Sequence, residues 1–300
     1  MTYRQGDPLF HQINDILPAA KLETDQMFSA PSDTTMSPLD EFIANTAIIN
    51  TLAGKYTEGM PAAIASLVVL GYVSAIESYF RTLIRKLINL DHRIRDAYGN
   101  HSLLYSSVIH HKPTMLPEAL LEETVFSNKD AIESAYKILA SRGRCDEQLS
   151  VALMRYEKVC EIRHCCVHRF GRLGVKNARS LGIIDHKHLL EHAFTPSEAQ
   201  IEDIATACNN VVLEFNRALF RELLKNIAIG KEYRAWTWKW QKDRPRFQKY
   251  YELFATSRRV PASPKIHEIY KEYARAFSKA KRYREATAEP EVMIGLHTSK

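Results

Sequence analysis

Chemically capable side chains are densest in one short stretch of the chain, EIRHCCVHR, at residues 161–169. Arg163 carries a permanent, planar positive charge that can bind a phosphate through two parallel hydrogen bonds. His168 can give and take protons near neutral pH. Together the two side chains suit phosphodiester cleavage. Residues five apart point about 140° from each other on an ideal helix. Arg163 and His168 would therefore have to converge at a helix end or across a two-fold dimer axis.

A metal site is a second hypothesis for the same stretch. Cys160, His164 and His168 recur at four-residue spacing on one helical face, with Cys165 nearby. A thiolate and two imidazoles suit zinc, although no fourth ligand is evident. A third interpretation is packing alone, because histidine and cysteine tolerate partial burial in a helix without having any activity.

The elements that position this stretch are predicted from hydrophobic periodicity to be helices. One helix runs from Pro61 to about Asp91, and its first half is apolar on nearly every side, as in the centre of a bundle. Its most apolar part, 62–76, is shorter than the roughly 20 residues that a bilayer span needs, so we expect a core helix. Three more helices are predicted: from a Ser127 cap to about Gly143, from about Asp146 to just before Gly171, and from a Thr195 cap to Gly230.

Composition agrees with a helical globular protein. The chain has 300 residues, 45% hydrophobic and 25% charged, which argues against disorder throughout. It holds only 11 glycines and 12 prolines, which disfavours architectures rich in hairpins. Its five cysteines are odd in number and form no CxxC pair, which indicates a reduced, cytoplasmic protein. We expect an all-α fold with an arm and linker at 1–38, a helical bundle at 39–230 and a basic C-terminal module at 231–300.

Positive charge is concentrated near the C-terminus. The net charge is +6, and residues 231–285 alone hold 16 basic and six acidic residues. A polyanion is the partner that such a segment favours. Aromatic residues alternate with the cations, so that bases can stack while the cations hold phosphates. The predicted RNA-binding residues are Arg169, Arg234, Trp236, Trp238, Lys239, Trp240, Lys242, Arg244 and Arg246.

Two local structures are predicted in this module. Trp236, Trp238 and Trp240 alternate with other residues, which favours a short extended strand with three rings on one side. The alternative is a small apolar face that packs on the bundle. Residues 265–284 are predicted to form an amphipathic helix with apolar residues along one side.

The pattern Arg163-His164-Cys165-Cys166-Val167-His168 resembles the signature of the HEPN superfamily, the higher eukaryotes and prokaryotes nucleotide-binding domains. The upstream segment GYVSAIESYFRTLIRKLINL is similar to the long early helix of that family, in which an acidic residue, here Glu77, often lies in an apolar run. The resemblance covers roughly Pro61 to Gly230 by helix order.

This resemblance implies a bundle of four to five helices that forms a homodimer with a composite active site. It implies a metal-independent endoribonuclease without cofactors, in which the RNA 2′-hydroxyl attacks the adjacent phosphate. His168 would act as general base or acid, and Arg163 would stabilise charge on the phosphoryl oxygens. His164 would orient the phosphate or substrate. Glu77 would hold Arg163, unless it only pairs with Arg81 or another basic residue.

The family also suggests a biological setting. We expect a toxin, stress or phage-defence role of the RiboL-PSP or abortive-infection kind, with single-stranded RNA or tRNA loops as substrate. An antitoxin or regulatory protein is an expected partner, and a membrane is not. Two positions depart from the pattern: His164 stands where Asn or Asp is usual, and Phe170 stands where toxins modified by a nucleotidyltransferase carry Tyr. The alternative is a non-catalytic module that binds RNA, a nucleotide or a protein.

Overall fold

The structure is a computed structural model and describes residues 20–29, 35–56, 59–122, 124–141, 143–229 and 236–287, the last range with side chains to residue 278. The chain divides into two compact units, Met1–Thr35 and Met36–Lys300. In the first unit the described residues contain one short 3₁₀ turn, Thr24–Met27. The remainder of the predicted N-terminal arm lies largely outside the described residues.

The described part of the second unit is built from helices and contains no strand, which confirms the all-α class. The helices are α1 (Pro38–Ala53), α2 (Ala62–Leu90), α3 (His92–Tyr98), α4 (Tyr105–His110), α5 (Leu116–Ala119), α6 (Lys129–Leu139), α7 (Glu147–Arg169), α8 (Val175–His186), α9 (Glu198–Ile229), α10 (Trp240–Phe254) and α11 (Ile266–Thr287).

Helix α2 forms the centre of the fold and follows the predicted course from Pro61 to Asp91. Helices α1, α7 and α9 pack around it. The ring of Phe80 lies 4.7 Å from that of Phe215 on α9, in an edge-to-face contact between buried side chains. By length and hydropathy α2 alone among the described helices could span a membrane, and half of its most apolar window is buried inside the protein.

The helix starts differ from prediction at two positions. Asn128 caps α6, since its side-chain oxygen accepts a hydrogen bond from the Asp130 amide at 2.7 Å. The predicted cap Ser127 is buried one residue earlier. Helix α9 begins at Glu198, after Ser197 and not after Thr195. Ser197 and Gln200 exchange hydrogen bonds between side chain and backbone, forming a capping box.

The predicted tryptophan strand is wrong. Residues 236–239 are irregular, with Trp238 in a left-handed conformation (φ 59°), and Trp240 opens α10. Trp236 is 1% exposed and packs with Phe247 and with Tyr273 of α11. These residues form a second hydrophobic core against the end of α9. The alternative prediction, a small apolar face that packs on the bundle, is therefore correct for Trp236. Helix α11 matches the predicted amphipathic helix.

Three polar contacts tie α10 and the loop after it to the bundle. Tyr250 donates to the buried carboxylate of Asp91 at 3.0 Å. Asn216 of α9 donates to the carbonyl of Phe254 at 2.9 Å. The carboxylate of Asp40, near the start of α1, accepts hydrogen bonds from 256–258. The basic module is thereby fixed to the bundle by buried groups.

Candidate active site

The second half of α7 presents the predicted catalytic side chains on its outer surface. Arg163 and His164 are half-buried and His168 is exposed, whereas Cys165 and Cys166 on the other side are buried. The helix is continuous through Arg169. On such a helix Arg163 and His168 point about 140° apart, with His164 between them. They therefore do not converge at a helix end, and one chain spreads the three groups over a broad arc.

His164 and His168 are neighbours in this arc. Their ring centroids lie 6.2 Å apart, as expected one turn apart on the same face. Partial burial lowers the pKa of His164, and the positive charges of Arg163 and Lys176 act in the same direction against the opposing effect of Glu161. The neutral imidazole is thus favoured at position 164, which suits a proton acceptor.

Arg163 keeps its hydrogen-bonding groups available. Its guanidinium forms no hydrogen bond or ion pair with any residue that the structure describes. It does act electrostatically on His164 and on the thiol of Cys160. A half-buried arginine with five free donors is a natural site for a phosphate, which it can bind in a bidentate manner.

A compact lobe after α7 supports this surface. The chain turns back at Phe170 and Gly171, which both have left-handed backbone conformations. Residues 171–173 then pair with 191–194 through backbone hydrogen bonds of 2.9 to 3.1 Å. On α8, Asn177 donates to the Glu161 carboxylate at 2.7 Å, which fixes α8 beside α7. Lys176 thereby becomes a further cation close enough to affect His164.

Arg169 was predicted to bind RNA, but its charge is already paired. Its guanidinium contacts both carboxylate oxygens of Glu191, at 2.5 and 2.7 Å. Both side chains are substantially exposed, so the pair contributes at most about 1 kcal/mol to stability. In this structure Arg169 orients the return loop and would have to exchange Glu191 for a phosphate to bind RNA.

Glu77 forms no hydrogen bond or ion pair with Arg163. It acts electrostatically on buried Tyr156, which precedes Arg163 by two turns of α7, a distance of about 10 Å along the axis. It does not pair with Arg81 either. Arg81 donates to the carbonyls of Leu121 and Thr124 and lies 3.6 Å from Glu118. Glu77 therefore forms an ion pair with neither Arg163 nor Arg81, nor with any other basic residue that the structure describes.

The cysteines provide no reactive group at this surface. Burial raises the pKa of the Cys160 thiol to about 12 and also raises those of Cys165 and Cys166. Among the described residues no group of three or more His, Cys, Asp or Glu side chains is arranged to hold a metal ion. The geometry gives no support to the zinc alternative with Cys160, His164 and His168.

The residues predicted to bind RNA in the C-terminal module fall into three groups. Lys239, Lys242 and Arg244 are exposed, and Trp238 and Trp240 are half-buried. Trp236 is buried, so no base can stack on it, and the Arg246 guanidinium lies over its ring at 5.3 Å. Arg234 lies outside the described residues.

The surface cavities lie elsewhere. One of about 410 Å³ opens between α1 and α9, and its lining includes Asn50, Tyr72 and Asn209. A smaller one of about 350 Å³ lies between the end of α2 and α10, with Arg246 and Lys249 on its wall. Neither cavity is lined by Arg163, His164 or His168.

Sequence reasoning missed two features of this surface, Lys176 and the exposed ring of Phe170 beyond His168. The glycines that follow the motif, at 171 and 174, were the available signal for a tight return of the chain.

Comparisons with protein families, with characterised proteins and with solved structures find no match to this chain.

Proposed function

We propose that this protein is a metal-independent endoribonuclease of the HEPN kind, acting in a toxin, stress or phage-defence role. The observation that carries the proposal is the grouping of Arg163, His164 and His168 on the open surface of one continuous helix, with the arginine unpaired among the described residues. An all-α bundle around a long apolar helix agrees with the family's architecture.

The proposed reaction is an internal transfer at the phosphate. A histidine accepts the proton of the RNA 2′-hydroxyl as its oxygen attacks the adjacent phosphorus. The bond from phosphorus to the 5′-oxygen breaks, and that oxygen receives a proton from a second acid. The products carry a 2′,3′-cyclic phosphate and a 5′-hydroxyl. Arg163 stabilises the negative charge that develops on the non-bridging oxygens.

Two histidines are available for the two proton transfers. His164 is the better acceptor, because its neutral form is favoured by partial burial and by the neighbouring cations. His168, exposed one turn later, would donate the proton to the leaving oxygen. This assignment gives position 164 a role in proton transfer, which Asn or Asp would not perform in the same way.

Dimerisation would complete the site. Because Arg163 and His168 diverge by about 140° on one helix, a second copy is needed to bring an arginine opposite the histidine pair. Exposed apolar side chains on α7 and on the adjacent α8, Val167 at 44% and Ile184 at 81%, favour contact of these helices with another protein surface.

The substrate would be held by the basic module. Lys239, Lys242 and Arg244 are exposed cations beside the half-buried ring of Trp240. The cations supply attraction to phosphates that does not depend on sequence, while a ring can accept an unpaired base. Single-stranded RNA, including tRNA loops, presents both phosphates and unpaired bases.

Cleavage of total RNA in EDTA tests the proposal, with Arg163→Ala and His168→Ala as the test variants. The matched controls are Arg155→Ala, an exposed arginine earlier on α7, and His110→Ala, an exposed histidine on α4. Wild type and both controls should cleave at the same positions. Each test variant should lose 100-fold or more, roughly the contribution of one general acid, base or charge-stabilising group. Equal cleavage by all five proteins would indicate a contaminant and contradict the proposal.

One observation favours a second function, a non-catalytic RNA-binding module. The same divergence of Arg163 and His168 leaves a single chain without a closed catalytic group. Under that function the wild type binds RNA with a steep salt dependence and leaves it uncut in every condition.

A further inference from the structure

Phe170 has an unusual combination of backbone and side-chain properties. It ends α7 with φ 50° and ψ 44°, the left-handed region that glycine adopts readily and a bulky aromatic residue does not. Its side chain is 86% exposed. Exposure of a large apolar ring and an unfavourable backbone conformation therefore occur at one position, two residues after His168.

The fold makes no use of this ring. Phe170 has no aromatic contact with any other described residue, and its exposure leaves almost no surface for packing. Glycine at this position would form the same turn without the unfavourable contact of a Cβ atom. The side chain is therefore not explained by the stability of the turn.

The surrounding backbone holds Phe170 in place. The amide of Gly171 donates to the carbonyl of Cys165 at 3.0 Å, and the amide of Phe194 donates to the carbonyl of Gly171 at 2.9 Å. A Cβ atom on Gly171 would lie 3.3 Å from the Ser66 hydroxyl of α2, so the chain runs close against the bundle there. A residue kept in a rare conformation by its neighbours is a common sign of a binding role.

We propose that Phe170 is a stacking platform for a nucleobase of RNA bound along α7. Arg163 and His164 offer the phosphate a cation and a proton acceptor, and the base attached to the next sugar then needs an apolar face. Unpaired bases stack on exposed aromatic rings, with little preference for sequence. The proposal rests on the proposed function and adds that the substrate is single-stranded at the cleaved step, because a paired base cannot offer its face.

Binding of an uncleavable probe tests this without requiring activity. The probe is a mixed-sequence 12-nucleotide 2′-O-methyl RNA that contains 2-aminopurine, whose fluorescence falls when it stacks. Phe170→Trp should bind as tightly as wild type and keep the fluorescence loss. Phe170→Leu, apolar but without a π face, should bind about tenfold more weakly and lose the quenching. Tyr105→Leu, an exposed aromatic residue on α4, is the matched control and should change neither.

Each outcome decides the matter. Equal affinity and equal quenching for wild type, Phe170→Leu and Phe170→Trp would overturn the stacking role, as would a wild type that does not bind the probe. A Phe170→Leu variant that changes only the sedimentation behaviour would assign the ring to contact between copies of the chain and also overturn it. If the ring proves necessary for quenching but no RNA is cut, stacking stands and the nuclease function fails. If RNA is cut and quenching does not depend on Phe170, the nuclease function stands and the stacking role fails.

Discussion

His164 is partly buried and feels the positive charges of Arg163 and Lys176, and these effects together disfavour its protonated form. Its environment disfavours the protonated ring, so its pKa in the folded protein lies below the ordinary value of 6.5. At pH 7 it is therefore neutral and able to accept a proton. This property distinguishes it from an asparagine at the same place, which could orient a phosphate but not remove a proton.

An NMR titration of the histidine rings measures this directly, with the His164 signal identified by its loss in His164→Gln. We expect a midpoint below 6.5. Because the unfolded chain then binds more protons than the folded one, unfolding free energy should fall as the pH drops below about 6.5, and fall less in His164→Gln. A midpoint at or above 6.5 would remove the basis for His164 as the base.

At the residue scale the sequence predicted which side chains gather on the surface but not their partners. Spacing along one helix placed His164 and His168 on one face, since that relation is local. The pairing of Arg169 with Glu191 depends on a loop that returns 22 residues later, which no local pattern encodes. The same holds for Glu77, whose neighbours come from the packing of α2 on α7.

At the level of elements, the start of α1 and the loop after α10 are joined by one buried carboxylate. Asp40 is 7% exposed and accepts hydrogen bonds from the Thr256 hydroxyl, the Ser257 amide and hydroxyl, and the Arg258 amide. Burial alone would raise the pKa of Asp40, but these hydrogen bonds outweigh it and lower the pKa. The charged form is therefore the one that stabilises the folded state.

Asp40→Asn should destabilise the protein by about 2 kcal/mol, because an amide nitrogen replaces one acceptor and faces donors. Urea denaturation measures the loss, with Asp203→Asn, an exposed acid on α9, as control. Since the pKa of Asp40 is lowered, its contribution is full above pH 3.8 and is lost as the pH falls through the folded value. The variant should consequently lose less stability on acidification, and equal losses in both proteins would count against this role.

Hydrophobic periodicity predicted the long helices and failed where aromatic residues pack irregularly. Helices α2, α7, α9 and α11 each carry a continuous apolar stripe that the sequence displays. The alternation of the tryptophans is typical of a strand, but it covers too few residues to predict one. Their rings instead meet side chains of α10 and α11, and such a cluster is set by tertiary contacts and not by local spacing.

For the whole molecule, the proposed function assigns substrate capture to the basic module and the chemical step to α7. Replacing Lys239, Lys242 and Lys249 by glutamine removes three exposed cations on or beside α10. The slope of log affinity against log salt should fall by about 2, at roughly 0.7 per single-strand phosphate contact. Single-turnover cleavage at saturating RNA should change little. The control replaces Lys55, Lys112 and Lys137, which are exposed elsewhere, and an equal effect on the slope would refute a dedicated binding module.

The proposal of a composite site in a homodimer makes a second prediction at this scale. Neither Arg163→Ala nor His168→Ala should cleave RNA alone, but a 1:1 mixture should regain about a quarter of wild-type activity. Half of the dimers in such a mixture combine the two variants, and each of these rebuilds one of two symmetric sites. The measurement is cleavage after mixing under conditions that allow subunit exchange. An inactive mixture with proven exchange would place all catalytic groups in one chain.

The most direct measurement of the central claim is the chemical identity of the RNA ends left by the purified protein in EDTA. The account predicts 5′-hydroxyl and 2′,3′-cyclic phosphate ends from a defined single-stranded RNA, no cleavage at a nucleotide whose 2′-hydroxyl is replaced by hydrogen, and no such ends with His168→Ala. Ends bearing a 5′-phosphate, cleavage at the 2′-deoxy nucleotide, or RNA left intact by the wild type would contradict it.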